Sequence, residues 1–106
     1  MKTLNREELK AKLDRGDNFK LVMAMDDYAY ELMHIPGSLH FSTMLEAMKQ
    51  LTPEDEVVLY CSTKWCHDSL NAYLVLQDNG FSKIYRYPGG LEDWQEANYP
   101  LEGQLV

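Results

Sequence analysis

Two cysteines, four prolines and six glycines among 106 residues put several protein classes out of reach. A secreted scaffold stapled by disulfides normally uses more cysteines, and a chain of this length can bury a core without staples. Glycine and proline are too sparse for a collagen-like or low-complexity chain. Basic residues are also scarce: 10 Lys/Arg stand against 17 Asp/Glu, for a net charge of −7. Such a surface repels nucleic acid and anionic membranes on average. No run approaches the roughly 20 apolar residues that span a bilayer. Met1-Lys2-Thr3-Leu4-Asn5 lacks the apolar stretch of a secretion signal. These absences predict a cytoplasmic protein with neither a nucleic-acid nor a membrane partner, whose sulfur chemistry is functional rather than structural. An apolar fraction of 45% is ordinary for a folded chain, and the length suits one domain over residues 1–106.

The chain alternates helical and extended patterns. Asn5 and Glu8 form a capping-box pair with Leu4 and Leu9 as a hydrophobic staple, so a helix is expected over about 6–14, stopped by Gly16. Phe19 to Met25 reads as a buried strand, and Tyr28 to Met33 as a short helical turn that Pro36 prevents from continuing. Leu39-His40-Phe41 suits a very short strand, and Ser42 a cap for a helix ending near Leu51. Val57-Val58-Leu59-Tyr60 is the clearest strand. A helix follows through Leu70 and Leu74 to Gly80, then a strand at Ile84-Tyr85-Arg86-Tyr87 and a short helix over about Leu91 to Ala97. Short apolar strands without a polar-out rhythm imply parallel pairing, with helices on both faces. The expected architecture is a three-layer α/β fold around a mainly parallel central sheet.

Cys61 falls just past the end of the strongest strand, where open parallel sheets place their ligands. Loop amides and the start of the next helix favour a thiolate there, and Lys64 adds positive charge, while Asp68 opposes it. Buried, inert sulfur is the competing reading, because free cysteine is a common small core residue. Cys61 and Cys66 enclose four residues. That spacing, even with His67, His34 or His40, barely permits a zinc site, so no metal is assigned. A reversible disulfide needs the two Cα atoms within about 7 Å. Trp65 is read as an anchor tucked into the body, with partner contact as the alternative. Tyr28 and Tyr30 are placed near the same rim.

His34-Ile35-Pro36-Gly37-Ser38, Val57-Val58-Leu59-Tyr60-Cys61, Asn79-Gly80-Phe81, Tyr87-Pro88-Gly89-Gly90-Leu91-Glu92-Asp93-Trp94 and Asn98-Tyr99-Pro100-Leu101-Glu102 together resemble the rhodanese-like domain family over nearly the whole chain. The resemblance implies a sulfurtransferase in which Cys61 takes up a sulfane sulfur as a persulfide. Ser62, Thr63, Lys64, Trp65, Cys66 and His67 would form the loop around it. A sulfur donor and a sulfur acceptor, each a small molecule or a protein, would be the partners, with no cofactor. Cys66 would serve as a second catalytic cysteine able to attack the persulfide, releasing sulfide and leaving a disulfide.

Several family marks are replaced. Met23 and Met25 stand at the places of an Asp-x-Arg pair, Met33 replaces a glycine, and Cys66 stands where many members carry an arginine. The loop is about two residues longer, in the manner of family members with a second cysteine. Loss of the arginine removes a bidentate anion clamp and disfavours thiosulfate. It also disfavours a phosphatase related to this fold. The alternatives to transfer are a non-catalytic protein-binding module and a Cys61/Cys66 thiol–disulfide redox protein.

Overall fold

A computed structural model describes residues 1–106. Its elements run α1 (Arg6–Arg15), β1 (Lys20–Met23), α2 (Asp27–Leu32), α3 (Met44–Gln50), β2 (Val57–Tyr60), α4 (Asp68–Asp78), β3 (Ile84–Tyr87) and α5 (Gly90–Glu96). The strands form one parallel sheet in the order β1-β2-β3, with Lys20 opposite Val57 and Val57 opposite Ile84. Single parallel bridges extend both edges, Leu39 beside Val22 and Thr3 beside Arg86. The short strand expected over 39–41 is thus reduced to one bridge.

Side-chain alternation in β2 divides the core. Val57 and Leu59 point to one face, where they pack with Val22, Ala72, Leu76 and Phe81. Val58 and Tyr60 point to the other, with Leu9, Met23, Ile35 and Trp94. Helices α3 and α4 contribute to the first face, and α1 and α5 to the second. Three layers result, as a parallel sheet buried on both sides requires.

The capping box is complete: Glu8 N donates to Asn5 Oδ1 at 2.8 Å, and Asn5 N donates to Glu8 Oε1 at 3.0 Å. At α3, the cap is Thr43 rather than Ser42, since Thr43 Oγ1 accepts from Glu46 N. Ser42 instead donates to Asp27 Oδ1 at 3.0 Å.

Candidate functional site

Tyr60, the last residue of β2, fixes where the strand stops. Its phenol accepts from Ile35 N at 3.1 Å and donates to Ser38 Oγ at 2.9 Å, tying the strand end to the Pro36 turn. Burial pushes this phenol up to about 12. Cys61 follows, 2% exposed. Its carbonyl accepts from Leu91 N at 3.0 Å, and the Ser62 carbonyl accepts from Glu92 N at 2.8 Å. Gly90 makes this approach possible: its φ is +69°, and a Cβ there would lie 2.6 Å from Cys61 O. The first turn of α5 therefore clamps the start of the loop. In the sequence, the Gly89-Gly90 pair is the one signal of this contact.

The rest of the loop doubles back on itself. Cys66 N donates to Thr63 O at 3.1 Å, and Trp65 N to Thr63 Oγ1 at 3.2 Å. This turn returns Cys66 to within 6.3 Å of Cys61, Cα to Cα, and the two sulfurs are joined as a disulfide. Cys66 is half-buried. His67 precedes α4 without a side-chain cap, and its carbonyl receives Asn71 N. The exposed Asp68 carboxylate lies within 4.8 Å of both sulfurs.

These positions correct the principal functional expectation. Sulfur transfer through a Cys61 persulfide requires a free, accessible thiolate cradled by loop amides. Cys61 Sγ is instead bonded to Cys66 Sγ and buried, and the Trp65 and Cys66 amides are turned toward Thr63. A transfer mechanism through this sulfur is accordingly withdrawn. The anchor expectation for Trp65 fails too: it is 76% exposed, with Lys64 Nζ 5.1 Å from its ring centroid.

The histidines do not gather around the cysteines. His34 Nε2 pairs with Glu102 Oε1 at 3.0 Å, and His40 Nε2 with Asp27 Oδ1 at 2.6 Å. Tyr30 stacks on both rings and donates to Ser38 O, while Tyr28 is exposed. Hydrogen bonds from Ser42 and His40 hold the Asp27 carboxyl below the usual carboxylate range. Asp68, rather than a histidine, is the third potential ligand beside the sulfurs, and a disulfide offers no thiolate to a metal.

A three-layer fold with a cysteine-bearing loop after its central parallel strand defines the rhodanese-type class of α/β domain. The chain belongs to the rhodanese-like domain family, whose model matches residues 5–97. It is 32% identical over 103 residues to a thiosulfate sulfurtransferase GlpE of Pseudomonas syringae, covering 95% of this chain and 92% of that one. A Vibrio cholerae thiosulfate sulfurtransferase GlpE is 31% identical over 84 residues, 77% of each chain. Among solved structures, the BH2092 protein of Bacillus halodurans superposes with a TM-score of 0.89 at 24% identity, covering 98% of this chain and 78% of that one. The rhodanese-like domain of the Anabaena Alr3790 protein gives 0.86 at 22%, covering 99% and 81%. These structural likenesses concern the fold. The family holds both enzymes and non-catalytic modules, so membership leaves the chemistry to the site. No helix is long and apolar enough to cross a membrane.

Proposed function

We propose that residues 1–106 act as one thiol–disulfide redox domain, in which Cys61 and Cys66 cycle between disulfide and dithiol. The supporting observation is the Cys61–Cys66 bond itself, with one sulfur buried and the other half-buried. Their different access assigns an order of attack. In reduction of the pair, the thiolate of a partner thiol attacks Cys66 Sγ. The bond to Cys61 breaks, a mixed disulfide forms on Cys66, and Cys61 leaves as a thiolate that takes a proton from solvent. A second partner thiolate then attacks the partner's own sulfur, releasing the partner disulfide and the Cys66 thiolate. Two electrons pass from two thiols to the protein, and the reverse sequence oxidises it. Ser62, Thr63, Lys64 and His67 shape the loop in this reading, and exposed Trp65 supplies contact area to the partner.

Asp68 tunes the couple. Its negative charge beside the sulfurs disfavours thiolates and hence the reduced form. Asp68→Asn should raise the reduction potential by about 10–20 mV at pH 9, where thiolates dominate, and by less at pH 7. In a reducing compartment such as the cytoplasm, the pair would be oxidised transiently, by a disulfide partner.

Glutathione redox buffers followed by thiol alkylation and intact mass test the cycle. The expected result is a two-thiol transition. Cys61→Ser should trap glutathione on Cys66, whereas Cys66→Ser should trap little on buried Cys61. A pair that stays reduced in excess glutathione disulfide, or equal trapping by both variants, would overturn the proposal. The non-catalytic binding module would then be the surviving alternative.

A further inference from the structure

A cavity of about 280 Å³ lies between the Val22/Leu59 face of the sheet and helices α3 and α4, apart from the disulfide bond itself. Its inner wall is apolar and buried at Val22, Leu59, Ala47 and Ala72. Met44 and Val75, 36% and 38% exposed, stand at its open side. An engineered apolar cavity of roughly 150 Å³ admits benzene, so this one has room for a phenyl ring with a short tail. Small residues make the space, since alanines project from both helices where larger side chains would meet the sheet.

The polar part of the lining is one-sided in charge. Ser42, Thr43, Asp68 and Asn71 supply it, and no lysine or arginine lines the cavity. Thr43 is committed to the cap of α3, and Ser42 donates to Asp27, so a second carboxylate stands behind the rim. An anionic occupant would find no positive charge in the lining and would be opposed by Asp68. A cationic one would find Asp68 at the exposed edge and hydrocarbon inside.

We propose that this cavity is a binding site for small arylalkyl amines, with the apolar group against Val22, Leu59 and Ala72 and the ammonium group at Asp68. The site does not require the redox reading, because neither sulfur lines it.

Methyl-resolved NMR titration of the full oxidised chain at pH 7 tests the proposal with three probes of similar size. These are phenethylamine, the neutral phenethyl alcohol and the anionic 3-phenylpropionate. Phenethylamine should shift the methyls of Met44, Ala47, Ala72 and Val75, leave Leu9 and Leu91 on the opposite face unmoved, and bind with a Kd of about 1 mM or tighter. The carboxylate should bind about three- to tenfold more weakly than the amine. Asp68→Asn should bring the amine to the alcohol's affinity while leaving the alcohol's unchanged. Ala72→Phe should abolish binding, with unshifted Leu9 and Leu91 methyls reporting an intact fold, and Asp68→Asn carries the test if that variant does not fold. Absence of shifts at the four methyls, or a carboxylate that binds as tightly as the amine, would overturn the site. Repeating the titration on Cys61→Ser/Cys66→Ser separates the two proposals: amine binding should persist where redox cycling is lost.

Discussion

The two faces of the sheet are packed by different means. Beneath α1 and α5 the core is built on large aromatics, and the three fully buried ones have their polar tips tied down. Trp94 Nε1 donates to Pro100 O at 2.7 Å, Tyr87 donates to Asp93, and Tyr60 is held between Ile35 and Ser38. Trp94 also meets Tyr99 and Tyr87 edge to face, at centroid distances of 4.8 and 6.1 Å. Beneath α3 and α4 the packing is mostly aliphatic and includes two alanines and the cavity. Hydrogen-bonded aromatics specify one geometry, because each leaves a buried polar group unsatisfied if it moves. Small aliphatics impose no such penalty. The aromatic face therefore fixes where β2 ends and where Cys61 stands, and the aliphatic face leaves room for a ligand.

Removing the largest piece of the aromatic face should have the largest effect. Trp94→Ala should cost about 3–5 kcal/mol in urea unfolding, enough to threaten folding altogether in a domain of this size. Tyr60→Phe should cost about 1–3 kcal/mol, since it leaves the Ile35 amide and the Ser38 hydroxyl without their partner. The same phenol sets an alkaline limit. Its folded pKa of about 12 lies above the ordinary value of 10.0, so the folded state retains a proton that the unfolded chain has lost. Its contribution is fully present below pH 10 and disappears as pH rises toward 12. Tyr60→Phe should flatten that decline when stability is followed against pH.

The disulfide joins the end of β2 to the approach to α4. Reduction opens a very short loop and should lower stability by about 2 kcal/mol, read as a shift in the denaturant midpoint with and without dithiothreitol. A larger loss would mean that the loop clamp by α5 also fails on reduction. Retention of the Leu91–Cys61 hydrogen bond in amide exchange would show that it does not.

Much of this arrangement was legible in the sequence where local chemistry decides. Val57–Tyr60 and Ile84–Tyr87 end where expected, because each apolar run is bounded by a polar connector or by a feature that breaks pairing. Asn5 and Glu8 announced α1 through reciprocal hydrogen bonds that need only a three-residue spacing. The shift of the α3 cap from Ser42 to Thr43 was not legible, since two adjacent hydroxyls offer the same chemistry and only Asp27, distant in sequence, claims the first. The position of Cys61 followed from parallel-sheet topology. Its oxidation state did not, because the return of Cys66 depends on the turn at Thr63, which carries no glycine or proline to mark it. Trp65 was misplaced for a related reason: residue type argues for burial, whereas that turn points it outward.

The smallest expected effect bears most directly on the contrast between the faces. Ala72→Leu adds three carbons on the side of the cavity, worth up to about 2 kcal/mol if buried cleanly, against about 0.5–1 kcal/mol of lost side-chain freedom and some strain. Its net effect on stability should fall within about 1 kcal/mol of zero. Val58→Leu adds a single carbon on the aromatic side, where Val58 is fully buried, and should cost about 1–3 kcal/mol. Paired urea titrations of the two variants measure the difference. If the larger addition at Ala72 costs as much as the smaller one at Val58, the aliphatic face is as tightly filled as the aromatic one, and the space assigned to a ligand would not exist in solution.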